Sequence, residues 1–190
     1  MTVCILGAGA FGSAMAIALA KNSKPIILWS RCKKFAQELQ KIRKNKKYLS
    51  ESYFPTNIQI TNDIQLVMNN ASAIITCIPA QKIHNFLNHF HLTIPNIPIV
   101  LCSKGIDEKT SLLQSQIIKK YLPHNKIACL TGPSFANEIA IGLPTALTLA
   151  CENKNTRCYL QETLSTPTLR LYSSADIIGA QLGGSLKNVI

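Results

Sequence analysis

The hexapeptide Gly7-Ala8-Gly9-Ala10-Phe11-Gly12 constrains this chain more than any other feature. It follows the apolar run Thr2–Leu6 and leads into the small-residue segment Ser13–Ala20. A G-x-G-x-x-G between a strand and a helix gives each glycine a task. The first allows a tight turn, the second lets backbone approach a pyrophosphate, and the third permits close strand–helix packing. The helix start adds N–H groups outside the helical ladder and the positive end of its dipole. Ordinary turn glycines can produce the same spacing, so its place between the first strand and a helix decides for a dinucleotide site. Such sites usually carry an acidic residue for the ribose hydroxyls at the end of the second strand. Here that position reads Leu28-Trp29-Ser30-Arg31, without a carboxylate. Arg31 can pair with a 2′-phosphate and lie against adenine; its other reading is an exposed charge after a strand. The expected cofactor is NADP(H) or NAD(H), with NADP(H) favoured.

Beyond the glycines, short β-rich runs alternate with helical patterns, which predicts an α/β fold: a doubly wound, mostly parallel sheet covered by helices. Strands are expected at 2–6, 26–29, 73–78, 97–102, 127–131, 145–150 and 168–172, and helices near 12–22, 33–46, 81–91, 110–120, 134–141 and 155–165. The stretch 48–63 reads as loop with one short strand, and from 177 the pattern turns helical again. Leu186, Val189 and Ile190 form an apolar stripe still under way, with no capping glycine or polar tail after it.

A hydrophobic fraction of 47% and a charged fraction of 15% exclude a disordered chain. The longest clean apolar run, 14–20, is far too short to span a bilayer, and no secretory signal precedes the first strand. Seven cysteines without a Cys-x-x-Cys pair argue against a disulfide framework or a metal site; buried thiols in a reducing cytoplasm are expected. The net charge of +11 is densest over 33–47, where Phe35, Leu39 and Ile42 mark one apolar helical stripe and cations fill the other faces. A solvated helix face accounts for that run; a weak contact with anionic lipid and an acidic partner are the functional alternatives. Nucleic acid is not expected, since neither interleaved aromatics nor a known module accompanies the lysines. The excess charge also helps gather phosphorylated substrates.

Three more segments fall at strand ends, where open α/β sheets bind ligands. Cys77–Gln81 carries Pro79 as a strand breaker, and Cys102–Asp107 presents Lys104 beside Gly105. Thr131–Ala140 joins the Gly132-Pro133 turn to Ser134, a candidate helix N-cap, with Glu138 one turn on. Turn chemistry and capping could explain each one alone. Together they describe a crevice with a flexible glycine, two hydroxyls (Ser103 and Ser134) and a cation.

The blocks GAGAFGSAMA, LWSR, SKGI, GPSFANEIA with GLPTA, and GAQLGGSLKNV occur in that order along the chain. In order and spacing they resemble the NAD(P)-dependent sn-glycerol-3-phosphate dehydrogenases over the whole chain. The resemblance implies a Rossmann-like N-terminal domain followed by an all-helical domain, placing residues 1–176 in the first and 177–190 in a truncated start of the second. It implies a cytoplasmic oxidoreductase, a homodimer at full length, that reduces dihydroxyacetone phosphate to sn-glycerol 3-phosphate for glycerophospholipid synthesis. Residue by residue, it makes Lys187 the proton-transferring group and Lys104 a contact to both cofactor and substrate. Gly132 and Ser134 then face the substrate, and Ala10, Phe11, Arg31 and Ala136 the cofactor. Asn188, next to Lys187, is a candidate for orienting the substrate. Apart from the resemblance, Lys187 could be a snorkelling lysine on a helix. Gln181, where many relatives have glutamate, and Ser185, in GGS where GGA is usual, depart from the pattern. Three alternatives accompany this reading: a truncated or split product that binds NADP(H) without turnover, a basic interaction protein, and a reductase of other hydroxy or keto acids.

Overall fold

Along Thr2–Leu6 the side chains of Val3 and Ile5 enter one hydrophobic cluster and those of Cys4 and Leu6 another. That division repeats across the sheet and explains its continuous apolar runs: parallel strands with helices on both faces have no solvent side to alternate with. The computed structural model describes residues 1–186. Its first half runs β1 Thr2–Leu6, α1 Ala10–Ala20, β2 Ile26–Trp29, α2 Lys33–Ile42, β3 Lys44–Asn45, β4 Leu49–Tyr53, β5 Ile58–Thr61, α3 Ile64–Asn70 and β6 Ala71–Thr76. The second half runs α4 Ile83–Phe90, β7 Ile99–Leu101, α5 Gln114–Tyr121, β8 Ile127–Thr131, α6 Ala136–Ile141, β9 Thr145–Ala150, α7 Lys154–Leu164, β10 Leu169–Ser174 and α8 Ile177–Leu186.

Eight strands make one sheet in the order β10-β9-β8-β7-β6-β1-β2-β5. All pairs from β5 to β8 are parallel, β9 runs antiparallel to β8, and β10 is parallel to β9. The expected doubly wound, mostly parallel sheet is therefore present, with its reversal confined to the β9–β10 edge. Large side chains such as Ile5, Leu28, Ile74 and Ile75 are fully buried, each contributing about 1.5–3 kcal/mol on transfer from water. Helix α1 is buried from Gly12 to Ala20. Its alanines let it lie close to β1, to α6 and to β4 without a polar face.

Several element boundaries differ from those expected. The helix predicted over 33–46 stops at Ile42, where Arg43 adopts the left-handed region (φ 55°) and its N–H donates to the Leu39 carbonyl. The Arg43 guanidinium then donates to the carbonyls of Pro55 and Ile58, the latter at 2.8 Å. Lysine runs suit a helix on propensity alone; this tertiary grip on the following loop overrides it. Residues beyond the stop form an antiparallel ribbon of β3 and β4, and β5 joins the main sheet, where only one short strand was expected. Helix α3 was not anticipated; Asp63 caps it by accepting from the Gln65 and Leu66 amides. The helix expected from 110 starts at Gln114, because Asp107 first closes a turn by accepting from the Thr110 amide and hydroxyl. No helix among the described residues is long and apolar enough to cross a membrane.

All seven cysteines are free, but only Cys4, Cys102, Cys129 and Cys151 are buried. Cys77 is half-buried, and Cys32 and Cys158 are exposed, which corrects the expectation of buried thiols at those positions. Cys32 precedes α2 at the sheet's open end, and Cys158 sits on an exposed part of α7. Burial pushes the Cys4 and Cys129 thiols up to about 12. The thiolate is the reacting species, so brief iodoacetamide treatment at neutral pH is expected to label Cys32 and Cys158 first. Mass spectrometry should find Cys4 and Cys129 modified only after denaturation.

Candidate active site

From β1 the chain winds outward through β2 to β5, then crosses back to place β6 on the other side of β1. The strand order reverses between β1 and β6, and their carboxyl ends flank the crevice that such a switch point opens. The glycine turn occupies this position. Gly7 has φ +113°, and its amide donates to the Trp29 carbonyl at 3.0 Å. A Cβ on Gly7 would stand 3.0 Å from the Cys77 carbonyl oxygen, and one on Gly12 only 1.9 Å from the Gly7 oxygen. Both glycines are thus required by packing. At Gly9 an added Cβ meets nothing within 4 Å. No protein contact requires that glycine, so its bare surface is left open to a ligand.

Helix α1 begins its ladder with the Ser13 amide donating to the Gly9 carbonyl at 3.0 Å. The amides of Ala10, Phe11 and Gly12 precede that bond and belong to the helix's N-terminal donor set. Asn45 braces the turn from outside the motif. Its side-chain amide donates to the Ala8 carbonyl at 3.1 Å and the Ser13 hydroxyl at 2.8 Å, while its oxygen accepts from the Tyr48 amide. Asn45 is 1% exposed. The sequence reading missed it because it sits in the lysine run Lys44-Asn45-Lys46-Lys47. The only hint was an uncharged residue among cations.

Arg31 is exposed directly after β2, whose Trp29 is in register with Leu6 at the end of β1. On the other side of the turn lies a cleft of about 420 Å³, lined among others by Phe11, Ser103, Lys104, Gly132 and Ser134. Phe11 therefore belongs both to the glycine turn and to the cleft. The Lys104 ammonium donates to the Gly132 carbonyl at 3.4 Å. A Cβ on Gly132 would stand 2.8 Å from the Leu147 side-chain end and 3.1 Å from the Ala146 carbonyl oxygen, so the neighbours would have to give to admit one. Ser134 does not cap α6: Phe135 is the N-cap residue and no side-chain capping bond is made. Its capping reading is set aside, and Ser134 lines the cleft. Ala136 opens α6 and packs, like Phe11, against the core cluster that holds α1; it does not line the cleft. A larger hollow, about 460 Å³, lies at the opposite end of β8 near Lys119, Lys126 and Glu152. It shares no lining residue with the cleft and is remote from the glycine turn.

The sequence-predicted residues Lys187 and Asn188 lie outside the described residues. Helix α8, up to Leu186, borders the cleft: a Cβ on Gly184 would come within 2.7 Å of the Thr131 hydroxyl and 3.8 Å of the Lys104 side chain.

The family model described as the NAD-dependent glycerol-3-phosphate dehydrogenase N-terminus matches residues 2–157. A glycerol-3-phosphate dehydrogenase [NAD(P)+] of Roseobacter denitrificans is 45% identical over all 190 residues, and its counterpart in a Ruegeria species is 44% identical. The chain spans 59% of the length of each of these curated relatives. The crystal structure of a glycerol-3-phosphate dehydrogenase from Coxiella burnetii superposes with a TM-score of 0.94 at 31% identity, covering 99% of this chain and 58% of that one. A Plasmodium falciparum glycerol-3-phosphate dehydrogenase shares the fold at a TM-score of 0.90 and 23% identity, covering 100% of this chain and 56% of that one.

The unlike surroundings of the glycines separate stability from binding. Gly9→Ala should change the folding free energy by less than about 1 kcal/mol yet weaken NADPH binding at least tenfold. Gly12→Ala should cost about 3 kcal/mol or more, since backbone must move to admit the methyl group. Urea denaturation and NADPH fluorescence titration of both variants check the pair.

Proposed function

Because the chain belongs to the NAD-dependent glycerol-3-phosphate dehydrogenase family, we propose that it forms the nucleotide-binding part of an enzyme reducing dihydroxyacetone phosphate to sn-glycerol 3-phosphate. The observation that carries this reading is the open Gly9 surface at the switch point, joined through Phe11 to a cleft containing Lys104. The turn fits a dinucleotide because the surface is bare where backbone must approach a diphosphate. Gly7, Gly9, Ala10, Phe11 and Gly12 would hold the diphosphate, Arg31 the adenosine end, and Ala136 would border the nicotinamide end. The bound nicotinamide supplies the hydride.

Dihydroxyacetone phosphate brings a dianionic phosphate and a ketone. The Lys104 ammonium provides a fixed positive charge at the cleft, and Gly132 and Ser134 line the substrate side. As the ketone carbon is reduced, negative charge grows on its oxygen, and an ammonium donor both stabilises and protonates it. That role is assigned to Lys187, with Asn188 orienting the substrate. In the reverse direction the same amine, once neutral, accepts the hydroxyl proton. The division into a nucleotide domain, 1–176, and the start of a helical domain, from 177, belongs to the same proposal. So do a cytoplasmic setting, a homodimer at full length, a phosphorylated small-molecule substrate and a supply of glycerophospholipid precursor. A weak contact of the lysine-rich face with anionic lipid completes it.

Two measurements test the proposal. Arg31→Ala should weaken NADPH binding about tenfold while changing NADH affinity less than twofold, as expected if the guanidinium meets a 2′-phosphate. Equal losses for both nucleotides would remove the NADP(H) preference. Because orienting contacts on the substrate contribute much of the barrier reduction, the 190-residue chain alone should bind NADPH with little turnover. A chain extended to the length of its relatives should oxidise NADPH with dihydroxyacetone phosphate, and Lys187→Ala should abolish that step while leaving cofactor affinity nearly unchanged. Rapid turnover by the shorter chain, or lost cofactor binding in Lys187→Ala, would overturn the assignments.

A further inference from the structure

Lys104 sits on the connection between β7 and α5, and a lysine side chain with its many rotamers is a poor electrostatic anchor unless its backbone is fixed. Here the peptide groups on both sides of it are held. Gln114 is 2% exposed, and its side-chain amide donates to the carbonyls of Ser103 and Gly105, each at 3.2 Å. Its side-chain oxygen accepts from the Ser103 hydroxyl. Three bonds from one buried side chain thus bracket residue 104.

Gln114 is not serving its own helix. It is the first residue of α5, and the link back to the preceding Leu113 amide is made by Gln116, at 2.9 Å. From the other side, α8 completes the clasp. The Ser185 hydroxyl accepts from the Gly105 amide at 3.0 Å and donates to the Gln181 carbonyl at 2.8 Å. Gln181 in turn accepts from the Ser115 amide at 3.1 Å and donates to the Ser115 hydroxyl at 2.8 Å. Gly105, at φ +125°, lets the loop turn between the two helices. The neighbours Gln114 and Ser115 therefore tie the Lys104 loop and α8 to a single point.

We propose that Gln114 and Ser185 are positioning residues that fix the Lys104 ammonium at the mouth of the nucleotide crevice, an inference resting on the reading of Lys104 as a cofactor and substrate contact. They act through Lys104 and touch neither ligand. The two departures from the family pattern, Gln181 and Ser185, both belong to this network and use uncharged bonds, Gln181 coupling α8 to α5 and Ser185 coupling it to the loop.

A double-mutant cycle separates positioning from general structural support, because only residues acting through one another are non-additive. NADPH affinity is read by fluorescence titration for the unaltered chain, Gln114→Leu, Ser185→Ala, Lys104→Ala, and each of the first two combined with Lys104→Ala. Thermal melting establishes which variants are folded. Gln114→Leu and Ser185→Ala should each weaken NADPH binding by about fivefold to tenfold in the unaltered background, and by less than twofold once Lys104 is alanine. If Gln114→Leu does not fold, the milder Ser185→Ala cycle decides. An equal loss in both backgrounds, or no loss in either, would overturn the positioning role while leaving Lys104 as a ligand contact. Unchanged affinity in Lys104→Ala would instead remove the underlying reading of Lys104, and the proposal with it.

Discussion

Everything at the carboxyl end of the sheet depends on how closely α1 approaches β1 and β6. Gly12 has no room for even one methyl group against the Gly7 carbonyl, and Gly7 has none against Cys77. That contact sets the start of α1 at the switch point, so the first-turn amides and the helix dipole fall where strands β1 and β6 part. A side chain at either glycine would move the helix and, with it, every donor it presents. Gly9 shows the other half of the arrangement. Its neighbourhood is empty, and what occupies it is decided by binding and not by folding.

The crevice continues from this turn into the cleft without a change of scaffold. Phe11 borders both, and strands β7 and β8 deliver Lys104 and Gly132 to the wall opposite the turn. The proposed pairing of a phosphorylated ketone with a nicotinamide would use such an arrangement: donors for one anion at the helix start, and a separate cation for another a short distance away. The +11 charge adds a long-range attraction for anions, which salt screens, whereas the hydrogen bonds that hold the Lys104 loop join uncharged groups and are screened far less.

The parts legible in the sequence were those with a local physical signature. The glycine turn, the apolar strands and the small-residue helix each follow from sterics or from burial on both faces, and the structure has them within about two residues of the expected bounds: the helix expected over 12–22 is Ala10–Ala20 and the strand expected over 73–78 is Ala71–Thr76. What escaped was tertiary. Arg43 ends α2 by gripping carbonyls up to fifteen residues further on, and no helix propensity within 33–46 reports that. Asn45 supports the turn across thirty-two residues of chain, to Ser13, from inside a run that reads as a solvated charge cluster. Gln114 fell unremarked within the helix expected near 110–120, although its bonds go to a loop nine to eleven residues earlier. Ser134 showed the reverse failure: its sequence suggested a cap, but the N-cap position falls on Phe135, whose side chain makes no capping bond, and Ser134 lines the cleft instead.

The most direct test of the central claim is an amide-resolved NMR titration with NADPH, following the ¹⁵N–¹H signals of Ala10, Phe11 and Gly12. If the first turn of α1 grips the diphosphate, these three amides shift together and saturate, with larger changes than amides at the opposite end of the sheet such as Ile127. Saturable NADPH binding that leaves those three signals in place would show that the nucleotide lies elsewhere and would contradict the account.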